Sequence, residues 1–343
     1  MIKDIYLSLS VFFLLILSVV ILKSVAPSLF PLYFVYIFTG LVVFWFFAQI
    51  GFDVASLFSK HLYIISILLL LATLIIGSVT RGTIRWIPIG PLTLQPAELV
   101  RPFLLVFFAN YLTSGSLDLT KFVKAILLLA LPAFLILVQP SLGVAVLTII
   151  GFLGVLIASD FNKKYILLGF VLLAVLAPVG FNLLAPYQKE RILTFTSPDS
   201  DPLGAGYNSL QSVIAAGSGK IFGKGLGRGV QTQLSFLPEK QTDFVFSATA
   251  EELGFFGAGL MLTATLLILY RLVVFMENAV SPAARAYLSG LFLIYLAQVF
   301  IHVGMNMGLL PITGLPFPLV SSGGSSLLAT MMGLGVAIGA YKR

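Results

Sequence analysis

Long apolar runs separated by short polar breaks cover most of the chain. They fall at about 5–26, 31–50, 62–79, 97–114, 122–138, 142–159, 164–184, 245–275, 286–308 and 323–341. Each approaches the roughly 20 residues an α-helix needs to cross a bilayer core. The pattern predicts an all-α polytopic membrane protein of about ten transmembrane helices, forming one membrane domain over 1–343. One break is long, about 185–244, between the seventh and eighth runs. A polar hairpin lies at 80–95 and a Pro/Gly-rich turn at 309–322. No repeat of solenoid period and no low-complexity tail is present.

Composition agrees with lipid as the solvent. The chain is 59% hydrophobic and 10% charged, with a mean hydropathy of +1.07. A soluble domain is about a quarter charged. The net charge of +7 does not point to nucleic acid, because the basic residues sit in short loops between apolar runs. No cysteine is present, which excludes disulfides and thiolate chemistry. With only His61 and His302, a zinc site is not expected.

The basic residues also give an orientation. With the N-terminus inside, the inner ends hold Lys3, Lys60, Lys121, Lys124, Lys163, Lys164, Arg271, Arg285, Lys342 and Arg343. The short outer ends hold only Lys23, Arg81, Arg85 and Arg101. This asymmetry predicts both termini in the cytoplasm and the long break outside. Ile5 to Leu22 follows Lys3 as a signal peptide would, and Ser24-Val25-Ala26 resembles a weak cleavage site. The apolar run exceeds the usual about 7–15 residues, so a retained first helix is expected.

The long outer segment carries most of the unusual chemistry, and structureless loops of that length are uncommon. Asp243 stands where it meets the eighth run. A carboxylate there can take a proton from a sugar or alcohol hydroxyl. Equally, Thr242 or Asp243 can be the N-cap of the helix that follows. Gly217 to Gly229 is glycine-rich, with Lys220, Lys224 and Arg228 every four residues. Backbone N–H groups and cations of this kind can hold a pyrophosphate. The spacing is not that of a P-loop, and a flexible turn-rich loop is the alternative.

Gln95-Pro96-Ala97-Glu98 opens the fourth run, and Glu98 and Arg101 can pair at three-residue spacing. Charges within a membrane helix mark a cavity, although an ordinary interfacial helix start accounts for them too. Glu251 and Glu252 are read as structural hydrogen-bonding groups for the adjoining loop, with at least one facing the interior. His302 is read as a satisfied core histidine. Arg85-Trp86 has an interfacial anchor as its plain reading, and Ser321 to Ser326 a helix-packing surface.

Taken in order, these segments resemble the SEDS family of bacterial cell-wall polymerases, the RodA and FtsW type. The motifs are Arg85-Trp86-Ile87 with Gln95 to Glu98; Gly206 to Ser212; Leu237 to Phe246 followed by Glu251 to Gly254; and Asn306 to Pro316 with Ser321 to Ser326. The resemblance covers nearly the whole chain and leans to the RodA branch through the Gly217 to Gly225 run. It implies a peptidoglycan glycosyltransferase of the bacterial cytoplasmic membrane, acting in cell elongation and shape. The substrate would be lipid II, and the partner a class B penicillin-binding protein.

The family's essential aspartate falls on Asp243, and its acidic and basic cavity residues on Glu98 and Arg101. Arg85, Trp86, Gln211, Ser212, Lys220, Lys224 and Arg228 are the further expected substrate contacts. Arg101 replaces the family's usual lysine and cannot be deprotonated. Ser141 and Ser322 stand where the family commonly has Asp and Tyr. No cofactor is firmly implied, although Mg²⁺ or Mn²⁺ could share the pyrophosphate charge. Two rival functions remain at this stage: a flippase for lipid-linked precursors, and a non-catalytic scaffold.

Overall fold

A computed structural model describes residues 4–80, 83–90, 92–116, 118–159, 189, 193–195 and 205–341. The predicted seventh run, Arg81 and most of 185–204 lie outside the described residues. Each of the other predicted runs coincides with a helix. These are α1 (Ile5–Val25), α2 (Leu32–Leu57), α3 (Ser59–Ile76), α4 (Pro96–Thr113), α5 (Leu119–Val138) and α6 (Leu142–Ala158). After α7 (Ala205–Ser218) and the short α8 (Val230–Gln233) come α9 (Val245–Glu277), α10 (Pro282–Asn306) and α11 (Gly324–Gly339). Among the described residues, α1, α2, α3, α5, α9 and α10 are long and apolar enough to cross a membrane.

Helix starts follow local chemistry. Asp4 caps α1 by accepting from Leu7 N at 2.8 Å, and Asp118 caps α5 by accepting from Lys121 N at 2.8 Å. Ser281 caps α10, with Pro282 at the first helical position. Two helices break at glycine. Gly51 has φ 74° inside α2, next to the predicted end of that run, and Gly254 has φ 70° inside α9. Both torsions are left-handed, where a Cβ would clash.

Helices α4 and α11 form the centre. Nearly every residue of α11 is buried, and α4 buries residues on all sides, including Glu98 and Arg101. α4 packs on α3, α6, α10 and α11, and α11 lies along α2. The outward faces of α2, α3 and α5 expose Phe38, Trp45, Ile75, Leu127 and Phe134. Such a surface suits acyl chains rather than water.

The polar hairpin is a small antiparallel sheet of β1 (Ser78–Thr80), β2 (Thr83–Ile89) and β3 (Leu92–Leu94) in the order β1-β2-β3. The Tyr36 hydroxyl fastens β3 to α2 by donating to Thr93 O and accepting from Thr93 N, at 3.0 and 2.9 Å. At the opposite end of the bundle Asp4 pairs with Arg271, and Phe275 stacks on Tyr341 at 4.0 Å. The first and last described residues therefore share one end. The far end of α1 meets the glycine-rich segment, where Gly227 N donates to Ser24 Oγ at 2.8 Å.

Candidate active site

A cavity of about 390 Å³ opens at the sheet end of the bundle. Its walls come from segments distant in sequence. Arg85 and Trp86 project from β2, and Gln95 and Glu98 from the start of α4. Pro140 to Val144 come from the α5–α6 turn, Thr242 and Asp243 from the segment before α9, and Pro311 to Pro316 from the turn after α10. Gly323, Ser325 and Ser326 close it beside α11.

Asp243 is half-buried on this wall. Its backbone is held at both ends: N–H donates to Glu239 O at 3.0 Å, and the carbonyl accepts from Asn306 Nδ2 at 2.9 Å. The N-cap of α9 is Phe244, with no side-chain capping bond. The Thr242 hydroxyl instead donates to Glu239. The cap position therefore falls one residue beyond Asp243.

Glu98 lines the cavity and forms a buried ion pair with Arg101. Arg101 itself turns away from it. Its Nη1 donates to Gln298 Oε1 at 3.3 Å, and it borders a separate small pocket with Tyr295 and Gln298. Arg101 therefore neutralises Glu98 from behind instead of lining the main cavity. Gln95 is buried beside them: its N–H donates to Ser325 Oγ at 2.7 Å and its Nε2 to Ser141 Oγ at 3.1 Å. Ser141 thus presents a neutral, already engaged hydroxyl.

The remaining expected contacts lie elsewhere. Lys224 is paired with Glu251 at 3.0 Å, and Lys220 and Arg228 are exposed, none of them on the cavity wall. Gln211 and Ser212 belong to α7 and do not line the cavity either. Ser212 is fully buried, with its hydroxyl bonded to Ser247 Oγ at 2.8 Å and donating to Asn306 O at 3.0 Å.

The glycines of the basic run serve backbone approach to the α9 break. Lys224 N and Gly225 N donate to the carbonyls of Glu251 and Glu252, and Phe255 N and Phe256 N donate to those of Lys220 and Ile221. A Cβ on Gly219 would stand 1.7 Å from Ala250 O, whereas one on Gly217 would meet nothing within 4 Å. Gly219→Ala is expected to cost at least the roughly 1–3 kcal/mol of overpacking and to lower the melting temperature in detergent. Gly217→Ala should leave it unchanged or raised, since alanine favours the end of α7.

Glu251 and Glu252 are both fully buried. Glu251 accepts from Gln231 N and Thr232 N, both at 2.9 Å, and Glu252 from Gln233 Nε2 at 2.8 Å. They fasten the loop, as the sequence reading has it. Burial pushes the nearby Lys240 ammonium down, against the raising effect of Glu252 and Glu251. His302 is a core histidine, with Nδ1 2.8 Å from Leu315 O and its ring edge-on to Phe317. Among the described residues, no three or more His, Asp or Glu side chains gather to hold a metal.

The sequence motifs contain Gln95, Pro311 to Pro316, Ser325 and Ser326, but nothing in their spacing marks them as cavity-lining. Only the packing of these separate segments brings them together.

Comparison with known proteins places this arrangement. The FtsW, RodA and SpoVE family, described as cell cycle protein, matches residues 3–342. The peptidoglycan glycosyltransferase MrdB of Escherichia coli K12 is 39% identical over 304 residues, covering 87% of this chain and 82% of its own. A probable peptidoglycan glycosyltransferase FtsW of Buchnera aphidicola is 35% identical over 311 residues, covering 87% of this chain and 81% of its own. A chain solved in a study of polymerization and crosslinking by a peptidoglycan synthase complex superposes with a TM-score of 0.83 at 33% identity, covering 98% of this chain and 96% of that one. The rod shape determining protein RodA of Thermus thermophilus gives a TM-score of 0.74 at 29% identity, covering 98% and 95%. With a match over nearly its full length, the chain belongs to the FtsW, RodA and SpoVE family of polytopic membrane proteins.

Proposed function

We propose that the chain is a peptidoglycan glycosyltransferase that polymerises lipid II into β-1,4-linked glycan at the outer face of the bacterial cytoplasmic membrane. The observation that carries this reading is the position of Asp243 on the wall of a cavity that also holds Arg85, Trp86 and Glu98. Membership of a family whose relatives bear that activity in their names supports it. The lean to cell elongation rests on the RodA-type and MrdB relatives.

In this reading the acceptor's GlcNAc 4-hydroxyl attacks C1 of the donor MurNAc. Asp243 takes the hydroxyl proton as the new C–O bond forms. The C1–O bond to undecaprenyl pyrophosphate breaks, and the pyrophosphate leaves with that electron pair. Attack opposite the leaving group inverts C1. At about 390 Å³ the cavity suits the reacting sugars, near the lower end of the roughly 300–1,000 Å³ of small-molecule pockets. The lipid tails would lie along the apolar outer faces of the helices.

Among the described residues, Arg85 is the Lys or Arg side chain that lines the cavity, and Lys220, Lys224 and Arg228 do not line it. Mg²⁺ or Mn²⁺ would share the pyrophosphate charge, drawing most of its ligands from the substrate's phosphate oxygens. Activity is therefore expected to fall in EDTA and to return on adding Mg²⁺; full activity in EDTA would remove the metal from the scheme. The shared end of Asp4 and Tyr341 and the lysine distribution favour both termini in the cytoplasm. The synthase complex of the structural relative supports a class B penicillin-binding protein as partner.

The test is purified protein with labelled lipid II, alone and with such a transpeptidase. Glycan chains formed by the native protein, and none by Asp243→Asn, are the expected result. Translocation of lipid II without polymer would favour the flippase, and full activity of the variant would fit neither the base nor the mechanism above.

A further inference from the structure

The start of α9 is capped from another helix. Phe244, at the cap position, offers no side-chain acceptor, although the first N–H groups of a helix have no partner within it. Asn306, the last residue of α10, supplies one: its Oδ1 accepts from Ser247 N at 3.0 Å. The Asn306 amide nitrogen donates to Asp243 O at 2.9 Å and to His302 O at 2.8 Å. Asn306 is fully buried. The carboxamide can face only one way, because two of its neighbours are acceptors and one is a donor. Both amide hydrogens are used.

We infer that Asn306 is the positioning residue for Asp243, holding the backbone of the proton acceptor in register with the end of α10. The inference rests on the reading of Asp243 as general base. Asn306 does not line the cavity and does not touch substrate. It acts through a single carbonyl. Binding Asp243 O and Ser247 N with one side chain fixes the peptide unit on which the carboxylate stands and the first turn of the helix that follows. On the other side of the residue, the Asp243 N–H is tied to its own loop at Glu239 O. Without Asn306 the tie between that carbonyl and α10 is lost.

Asn306→Asp separates the two duties. A carboxylate keeps the acceptor for Ser247 N but has no hydrogens for Asp243 O and His302 O. Asn306→Leu removes both. If Asn306 only caps α9, Asn306→Asp retains native turnover and Asn306→Leu does not. If it positions Asp243, both variants lose turnover, about 10²-fold for a misplacement near 1 Å, while KM for lipid II stays close to native. Tyr63→Phe is the folding control, because it deletes a comparable hydroxyl bond, Tyr63 to Leu128 O at 2.8 Å, far from the cavity. Turnover, KM and melting temperature are measured for all three and for Asp243→Asn. Native kcat in Asn306→Asp overturns the inference, as does a loss that follows melting temperature in the same proportion as Tyr63→Phe. If Asp243→Asn is active, the general-base reading fails instead, which is a separate outcome.

Discussion

Asp243→Asn is expected to lower glycan synthesis by about 10²–10⁴-fold, the usual contribution of a general base. The amide has nearly the shape of the carboxylate but cannot take a proton. The backbone bonds that hold this segment, to Glu239 O and from Asn306 Nδ2, do not involve the carboxyl group. The variant should therefore fold and bind lipid II, and the loss should fall on kcat. Gel separation of labelled glycan, run beside thermal unfolding, gives both quantities. A rate within a few-fold of native, with equal folding, would falsify the assignment.

The second large effect concerns the Glu98–Arg101 pair. Both side chains are almost completely buried, so the two charges are stable only together. Arg101→Met leaves the Glu98 carboxylate uncompensated in the cavity wall, at a cost of about 3–5 kcal/mol. It also takes the guanidinium partner from Gln298 Oε1. Glu98→Gln alone strands the guanidinium in the same way. The double variant Glu98→Gln/Arg101→Met should recover much of the lost stability, since neither charge is left behind. A double-mutant cycle on unfolding in detergent reads the coupling directly. Additive effects would mean that the pair is solvated and acts as two independent groups. Activity should remain low in Glu98→Gln and in the double variant, because the cavity wall loses the Glu98 carboxylate even when stability returns.

The helices were legible in the sequence because each needs only a run of apolar residues of bilayer length, and such runs leave little alternative. The two glycine breaks were not. Gly51 and Gly254 look like any other small residue in an apolar stretch, and their torsions depend on what approaches them. The basic glycine run was open to misreading for the same reason. Glycine at 219 and 223 admits a neighbouring backbone, and the same composition would admit a phosphate. The lysine that fastens the run, Lys224, is spent on Glu251. Ser212 and Gln211 sit in a motif that marks the family, but a motif does not say which way a side chain faces. Ser212 faces the core. Asp243 and Glu98 stood out as carboxylates at the ends of apolar runs, but their roles, and those of Arg85 and Trp86, came from the family resemblance. Gln95, Ser141 and the turn at 311–316 required the tertiary packing.

The central place of α4 has a consequence for how the chain is made. Pro96–Thr113 carries Glu98, Arg101 and two prolines, and it is not among the described helices apolar enough to cross by composition alone. Charged residues oppose entry into lipid from the translocation channel. The helices on either side in sequence, α3 and α5, meet the requirement. α4 must then leave the channel as the passenger of its neighbours, with its charge pair formed before lipid surrounds it. The same helix that lines the cavity thus depends on its neighbours to enter the membrane.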